Sequence, residues 1–120
     1  MTSLVAKVGA IVPRESGERL LCAAYVSGKG SSIGSAVIAV SDRQLFFAPR
    51  SAFLSRGAWR TRRLDDVRVE SGARGVLGLG ISRRFEVLDE DGSAFFFELG
   101  EKREASEFRR ALARRLVPRR

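Results

Sequence analysis

From residue 19 to residue 99 the chain alternates short apolar, β-branched and aromatic runs with links of a few residues. A parallel strand pair needs a connection of about a dozen residues or more, so strands joined by such links run antiparallel. This excludes α/β architectures and predicts a strongly bent antiparallel sheet or barrel. The expected strands lie at 19–26 (RLLCAAYV), 35–41 (SAVIAVS), 44–49 (QLFFAP), 59–64 (WRTRRL), 67–71 (VRVES), 79–88 (LGISRRFEVL) and 93–99 (SAFFFEL), seven in all and antiparallel throughout. Asp42-Arg43 leaves room only for a hairpin, and Asp89-Glu90-Asp91-Gly92 is a turn in which Gly92 takes positive φ without steric cost. Val67 and Val69 alternate with Arg68 and Glu70, as Phe85 and Val87 do with Arg84 and Glu86, the period of two that a half-buried strand requires.

The period changes at both ends. Leu4, Val5, Val8, Ile11 and Val12 share one helical face, with Thr2 or Ser3 in place as a cap and Pro13 as a stop. So short a helix must dock on its own barrel or on a neighbouring subunit. At 101–116 the sequence EKREASEFRRALARRL puts Ala105, Phe108, Leu112 and Leu116 on one stripe, with Glu101 and Glu104 early and arginines late, in accord with the helix dipole. Pro118 ends it. The fold class is therefore mainly β (α+β): seven antiparallel strands in a strongly bent sheet or barrel, with a C-terminal amphipathic helix over its open end and a short N-terminal helix before it. Residues 1–16 form a helical extension, 17–116 the domain and 117–120 a basic tail.

Composition narrows the function. The 120 residues make one domain, and they contain no histidine and a single cysteine, Cys22. Histidine switches, His-based or thiolate metal sites, internal disulfides and Ser-His or Cys-His catalysis all lose their residues. No enzyme activity, cofactor, metal or small-molecule substrate is expected. With no run near the ~18 apolar residues of a spanning helix and no secretory layout at the N-terminus, the expected location is cytoplasmic, with the inner membrane face as a peripheral site. The net charge is +8, and residues 43–64 carry Arg43, Arg50, Arg56, Arg60, Arg62 and Arg63 without one acidic side chain. Residues 65–98 are net acidic, and the C-terminal stretch is basic again.

Several strings resemble the bacterial pleckstrin-homology-like domains, including the GRAM-related set. GERLL at 17–21, AVSDRQLFF at 39–47, RLDDVRVE at 63–70 and AxxFxxxL at 105–112 carry the resemblance, which spans about residues 17–116. Glu18 resembles the family's glycine-glutamate start, Ser41-Asp42-Arg43 its hairpin, and Leu64-Asp65-Asp66-Val67 its link to the fifth strand. The resemblance implies a seven-stranded antiparallel, partly open pleckstrin-homology-like barrel capped by the C-terminal helix, and a noncatalytic binding or scaffolding module. Where such domains read inositol phosphates, the loop between the first two strands is rich in basic residues. Here that loop, SGKGSSIG, carries only Lys29.

The candidate surface is therefore Lys29 with the loop RSAFLSRGAWRTRR, which contributes Arg50, Phe53, Leu54, Arg56, Trp59, Arg60, Arg62 and Arg63. Clustered cations beside apolar residues suit an anionic membrane or an acidic protein, and the same mixture suits nucleic acid, which ranks third. The plainer alternative makes Trp59 and Leu64 core residues, tucks Phe53 and Leu54 under the loop and pairs the arginines with Asp65, Asp66 and Glu70. GKGSS lacks the GxxxxGK[ST] of a phosphate loop, and the glycines at 72, 75, 78 and 80 read as a bend. Adjacent Asp65 and Asp66 point apart in an extended link and make no acid/base pair. Cys22 reads as a buried small hydrophobe. Exposed strand edges and the run Phe95-Phe96-Phe97 predict a homo-oligomer or a protein partner, the leading expectation, ahead of an anionic lipid surface.

Overall fold

The computed structural model describes residues 3–71, 83–92, 94–113 and 116–118. After the helix α1 (Leu4–Gly9) come β1 (Leu20–Val26), β2 (Ala36–Ser41), β3 (Gln44–Pro49) and β4 (Arg60–Arg63), one antiparallel sheet in that order. The chain then forms β5 (Val67–Ser71), β6 (Arg84–Asp89), β7 (Ala94–Glu98), the helix α2 (Lys102–Ala111) and β8 (Leu116–Pro118). The second sheet has the order β7-β6-β5-β8. The mainly β architecture with a helix at each end is thus as expected, and Gly92 closes its turn at φ +86°. The glycines at 72, 75, 78 and 80 and the first part of the sixth expected strand lie outside the described residues.

Two expectations are corrected at the C-terminus. The helix does not reach residue 116: it ends at Ala111, where the Leu112 N–H donates to the Phe108 carbonyl. Leu116 instead opens β8, which pairs in parallel with Val69–Ser71 of β5, so the sheets are not antiparallel throughout. The physical reason is the edge of β5 away from β6, whose main-chain groups need partners, while the long connection through α2 meets the spacing that a parallel neighbour demands.

Alternation sorts side chains into two apolar layers. Cys22, Ala24 and Val26 of β1, Ile38 and Val40 of β2, and Leu45 and Phe47 of β3 face Val69, Phe85, Val87 and Phe97 of the second sheet, and Ala105, Phe108 and Leu112 of α2 close this core. Phe85 and Phe97 stack at 5.4 Å, with Phe108 against both. The other face of the first sheet holds a second cluster, in which Val37, Ala39, Phe46, Ala48 and Trp59 pack with Val8 and Val12. Every residue of β2 is buried as a result. That is why its sequence reads as an unbroken apolar run rather than an alternation. Ser3 caps α1, its hydroxyl accepting from the Ala6 N–H at 3.2 Å, and α1 docks on the sheet of its own chain.

One buried carboxylate ties these layers together. Glu18, just ahead of β1 and 5% exposed, accepts from the Ser41 hydroxyl, from the Gln44 side-chain amide at 2.9 and 3.1 Å and from the Glu15 N–H at 2.7 Å. Ser41 Oγ in turn accepts from the N–H groups of Arg43 (3.0 Å) and Gln44 (2.8 Å), which fixes the β2–β3 hairpin. Asp42 Oδ1 accepts from the Arg19 N–H at 3.1 Å, and its own N–H donates to the Arg19 carbonyl. This is the physical content of the Gly17-Glu18 start and the Ser41-Asp42-Arg43 hairpin.

Removing the carboxylate strands several buried donors at about 1–3 kcal/mol each, so Glu18→Leu is expected to lower unfolding stability by about 3 kcal/mol in urea titrations. Glu18→Gln, which keeps one acceptor, should lose only about 1 kcal/mol. Cys22 gives a second check. Burial, helped by the charge of Glu107, pushes its thiol up to about 12. The native protein should resist an aromatic disulfide reagent at pH 8 and react fully once unfolded. Because the folded state keeps this proton where the unfolded chain loses it, the thiol's contribution to stability falls as pH rises from about 9 towards 12. Cys22→Ala should flatten the urea-derived stability profile over that window.

Candidate functional site: a basic cleft at one end of the sheets

The loop between β1 and β2 places Lys29. Its residues Gly28–Gly30 form a single 3-10 turn, and beyond them Ser31 bridges to Phe97. Ser32 donates its N–H to the Phe96 carbonyl at 3.1 Å, and its hydroxyl accepts the Phe96 N–H at 2.9 Å. This pins the loop to the edge of β7, where a Cβ on Gly30 would stand 3.3 Å from that of Glu98. The glycines of GKGSS therefore serve close backbone packing.

Arg50 follows β3, and its guanidinium lies over the Tyr25 ring, 4.6 Å from the centroid. Tyr25 faces outward on β1 and meets Phe53 edge-on at 5.8 Å. Arg83, ahead of β6, donates to the Gly100 carbonyl at 3.0 Å and pairs with Glu98 at 3.9 Å. Together Tyr25, Lys29, Arg50, Arg83 and Glu98 line a cleft of about 430 Å³. Three cations from three separate segments thus line one cleft, with Glu98 beside Arg83. Among the described residues neither Lys29 nor Arg50 makes an ion pair, so both remain available to an anion. An aromatic wall beneath a guanidinium also holds that cation in place.

The remaining candidates from the 50–63 stretch do not gather at this cleft. Trp59 is 7% exposed, its ring in the outer-face cluster and its Nε1 donating to the Phe53 carbonyl at 2.7 Å. Phe53 is half-buried, while Leu54 stands out at 63% exposure with Arg56 exposed nearby in the chain. On β4 alternation separates the arginines. Arg60 lines a second, more apolar cleft of about 310 Å³ with Ile33, Phe47 and Pro49. Arg62 pairs with Asp89 at 3.3 Å beside the Phe47 ring, whereas Arg63 reaches Glu15 at 2.5 Å. Leu64 is buried.

Sequence reasoning missed Tyr25, Arg83 and Glu98. The inward set Cys22, Ala24, Val26 implied that Tyr25 faces out, but nothing in the sequence placed it under Arg50. Phe96 takes the face opposite Phe97 and carries Arg84 at 4.0 Å from its centroid, so the Phe95–Phe97 run is partly explained within the chain. Among the described residues no three His, Cys, Asp or Glu side chains cluster as metal ligands, and no helix is long and apolar enough to cross a membrane.

No family model and no curated protein matches the sequence. Solved structures do match the fold. The linker-DH/PH domains of p115-RhoGEF superpose with a TM-score of 0.56 at 11% identity, over 83% of this chain and 29% of that one. Autoinhibited Vav1 gives 0.54 at 13% identity, over 91% of this chain and 22% of that one. The C-terminal domain of an unknown protein from Leishmania infantum gives 0.50 at 16% identity, covering 82% and 87%. The chain spans less than a third of the p115-RhoGEF and Vav1 chains, and at these identities the likeness concerns the fold alone. That fold is pleckstrin-homology-like.

Proposed function

We propose that the protein is a noncatalytic interaction module of the cytoplasm that binds an acidic segment of a protein partner in the Lys29–Arg50–Arg83 cleft. The single observation behind this reading is the convergence of those three cations on one cleft whose lining holds one carboxylate, Glu98. Electrostatic complementarity of this kind selects acidic partners and speeds their association. The fold likeness supports an interaction role, and the strings at 17–21 and 39–47 support a place in the bacterial, GRAM-related set.

The membrane reading rests on a different feature, exposed Leu54 with Arg50 and Arg56 in the same loop. It is the weaker one, because Trp59 is buried and Arg62 and Arg63 are already paired. Nucleic-acid binding stays third, since Tyr25, the aromatic ring at the cleft, has its face covered by Arg50 and is not open for a base to stack on.

A fluorescent oligo-glutamate peptide is the probe. The double variant Lys29→Glu/Arg50→Glu should bind it about tenfold or more weakly at low salt, while Arg103→Glu on the outer side of α2 should change little. Equal loss in both variants would mean a general charge effect and no site. Phosphatidylserine vesicles form the second arm: co-sedimentation that survives high salt and disappears in Leu54→Ser would put the membrane reading first.

A further inference from the structure

We propose that the acidic segment bound in the Lys29–Arg50–Arg83 cleft is this chain's own β6–β7 turn, Asp89-Glu90-Asp91-Gly92, supplied by a second copy, so that the protein assembles head to tail. The inference rests on the reading of the cleft as a site for an acidic segment and names the occupant. Asp89–Asp91 is the longest unbroken acidic run in the sequence. The turn is tight, with the Gly92 N–H donating to the Asp89 carbonyl at 3.0 Å, and Glu90 and Asp91 are exposed at its tip. Asp65 and Asp66, just ahead of β5, line the same end of the second sheet. Arg62 is taken up by Asp89 at 3.3 Å and Arg68 by Glu70 at 3.5 Å, whereas Glu90 makes no ion pair among the described residues. The tip is thus negatively charged and already held in shape, which lowers the ordering cost of inserting it.

The topology keeps the tip from its own cleft. The strand β6 runs from Arg84, next to Arg83 of the cleft, to Asp89 at the turn, and its five steps span about 17 Å. A tip and a cleft at opposite ends of one strand meet only between copies, and each contact leaves one tip and one cleft unused. The interface is therefore heterologous and repeats from copy to copy.

On the receiving side, Arg83 and Glu98 are 3.9 Å apart with both side chains nearly half exposed, a pair loose enough to yield to an incoming carboxylate. Among the described residues Lys29 and Arg50 have no carboxylate to give up. The whole chain carries +8, but at ~0.1 M salt the screening length is about 10 Å, so pairs in contact outweigh repulsion between the remaining charges. One turn in one cleft is a small interface, which sets the association in the range of about 100 μM.

Sedimentation velocity of the full chain is the test. At ~0.1 M salt the average mass should reach about twice that of one chain as the concentration passes about 100 μM, and return to that of one chain in ~1 M salt. Lys29→Glu/Arg50→Glu, which removes the cleft, and Glu90→Lys/Asp91→Lys, which removes the tip, should each stay monomeric. An equimolar mixture of the two should form a dimer of one copy each and grow no further, because one variant keeps a tip and the other a cleft. Both variants retain a net positive charge, so general attraction does not account for such a dimer. A monomer at every concentration, or variants that stay apart when mixed although the unsubstituted chain assembles, overturns the proposal. Oligo-glutamate tells this failure from a failure of the cleft: Glu90→Lys/Asp91→Lys should bind the peptide at least as tightly as the unsubstituted chain. Peptide binding without self-assembly removes only the occupant named here, whereas loss of both removes the cleft reading as well.

Discussion

The Glu18 carboxylate sits inside the protein with the Ser41 hydroxyl, the Gln44 amide and the Glu15 N–H all donating to it. A buried charge is tolerable only when its oxygens are met by donors, and these donors come from two places far apart in sequence. Ser41 and Gln44 flank the β2–β3 hairpin, while Glu15 belongs to the arm that carries α1. The hairpin register, the start of β1 and the path of the arm are thus set by one group. From the hairpin follows the sheet, and from the arm follows the placement of α1 over its outer face.

Coverage of that outer face changes how the rest of the surface is used. With α1 in place, the first sheet is buried on both sides through β2 and most of β3. Trp59 and Phe46 are then structural residues, and the basic stretch around them loses the aromatic that would otherwise make it a membrane or nucleic-acid surface. Pairing of Arg62 with Asp89 and of Arg63 with Glu15 removes two more cations. What remains is the end of the sheets where Arg50, stacked on Tyr25, meets Lys29 and Arg83. The proposed recognition surface is in this sense what the folding requirements leave over.

Much of this architecture was legible in the sequence, for physical reasons that differ by element. Hairpins and the core of α2 were visible because short links and a 3.6-residue stripe are local constraints. A core place for Trp59 was one option among the arginines, whereas two-sided burial of SAVIAVS was not read, since burial on the second face depends on a docking event outside the strand. The strand at 116–118 was hidden by its continuity with the helical stripe, because pairing with β5 is a long-range contact without a local signature. Lys29 and Arg50 were legible as candidates, whereas Tyr25, Arg83 and Glu98 became part of the site only through the folding of three segments onto one end.

The account holds that recognition of an acidic partner belongs to this leftover end. The most direct measurement is an amide and side-chain NMR titration of the full chain with an acidic tetrapeptide at physiological salt. The predicted result is a set of saturable shifts at Tyr25, Lys29, Arg50 and Arg83, with the resonances of Arg60 and of the α2 arginines unmoved. Shifts spread evenly over every arginine, or none at the cleft at saturating peptide, would contradict it.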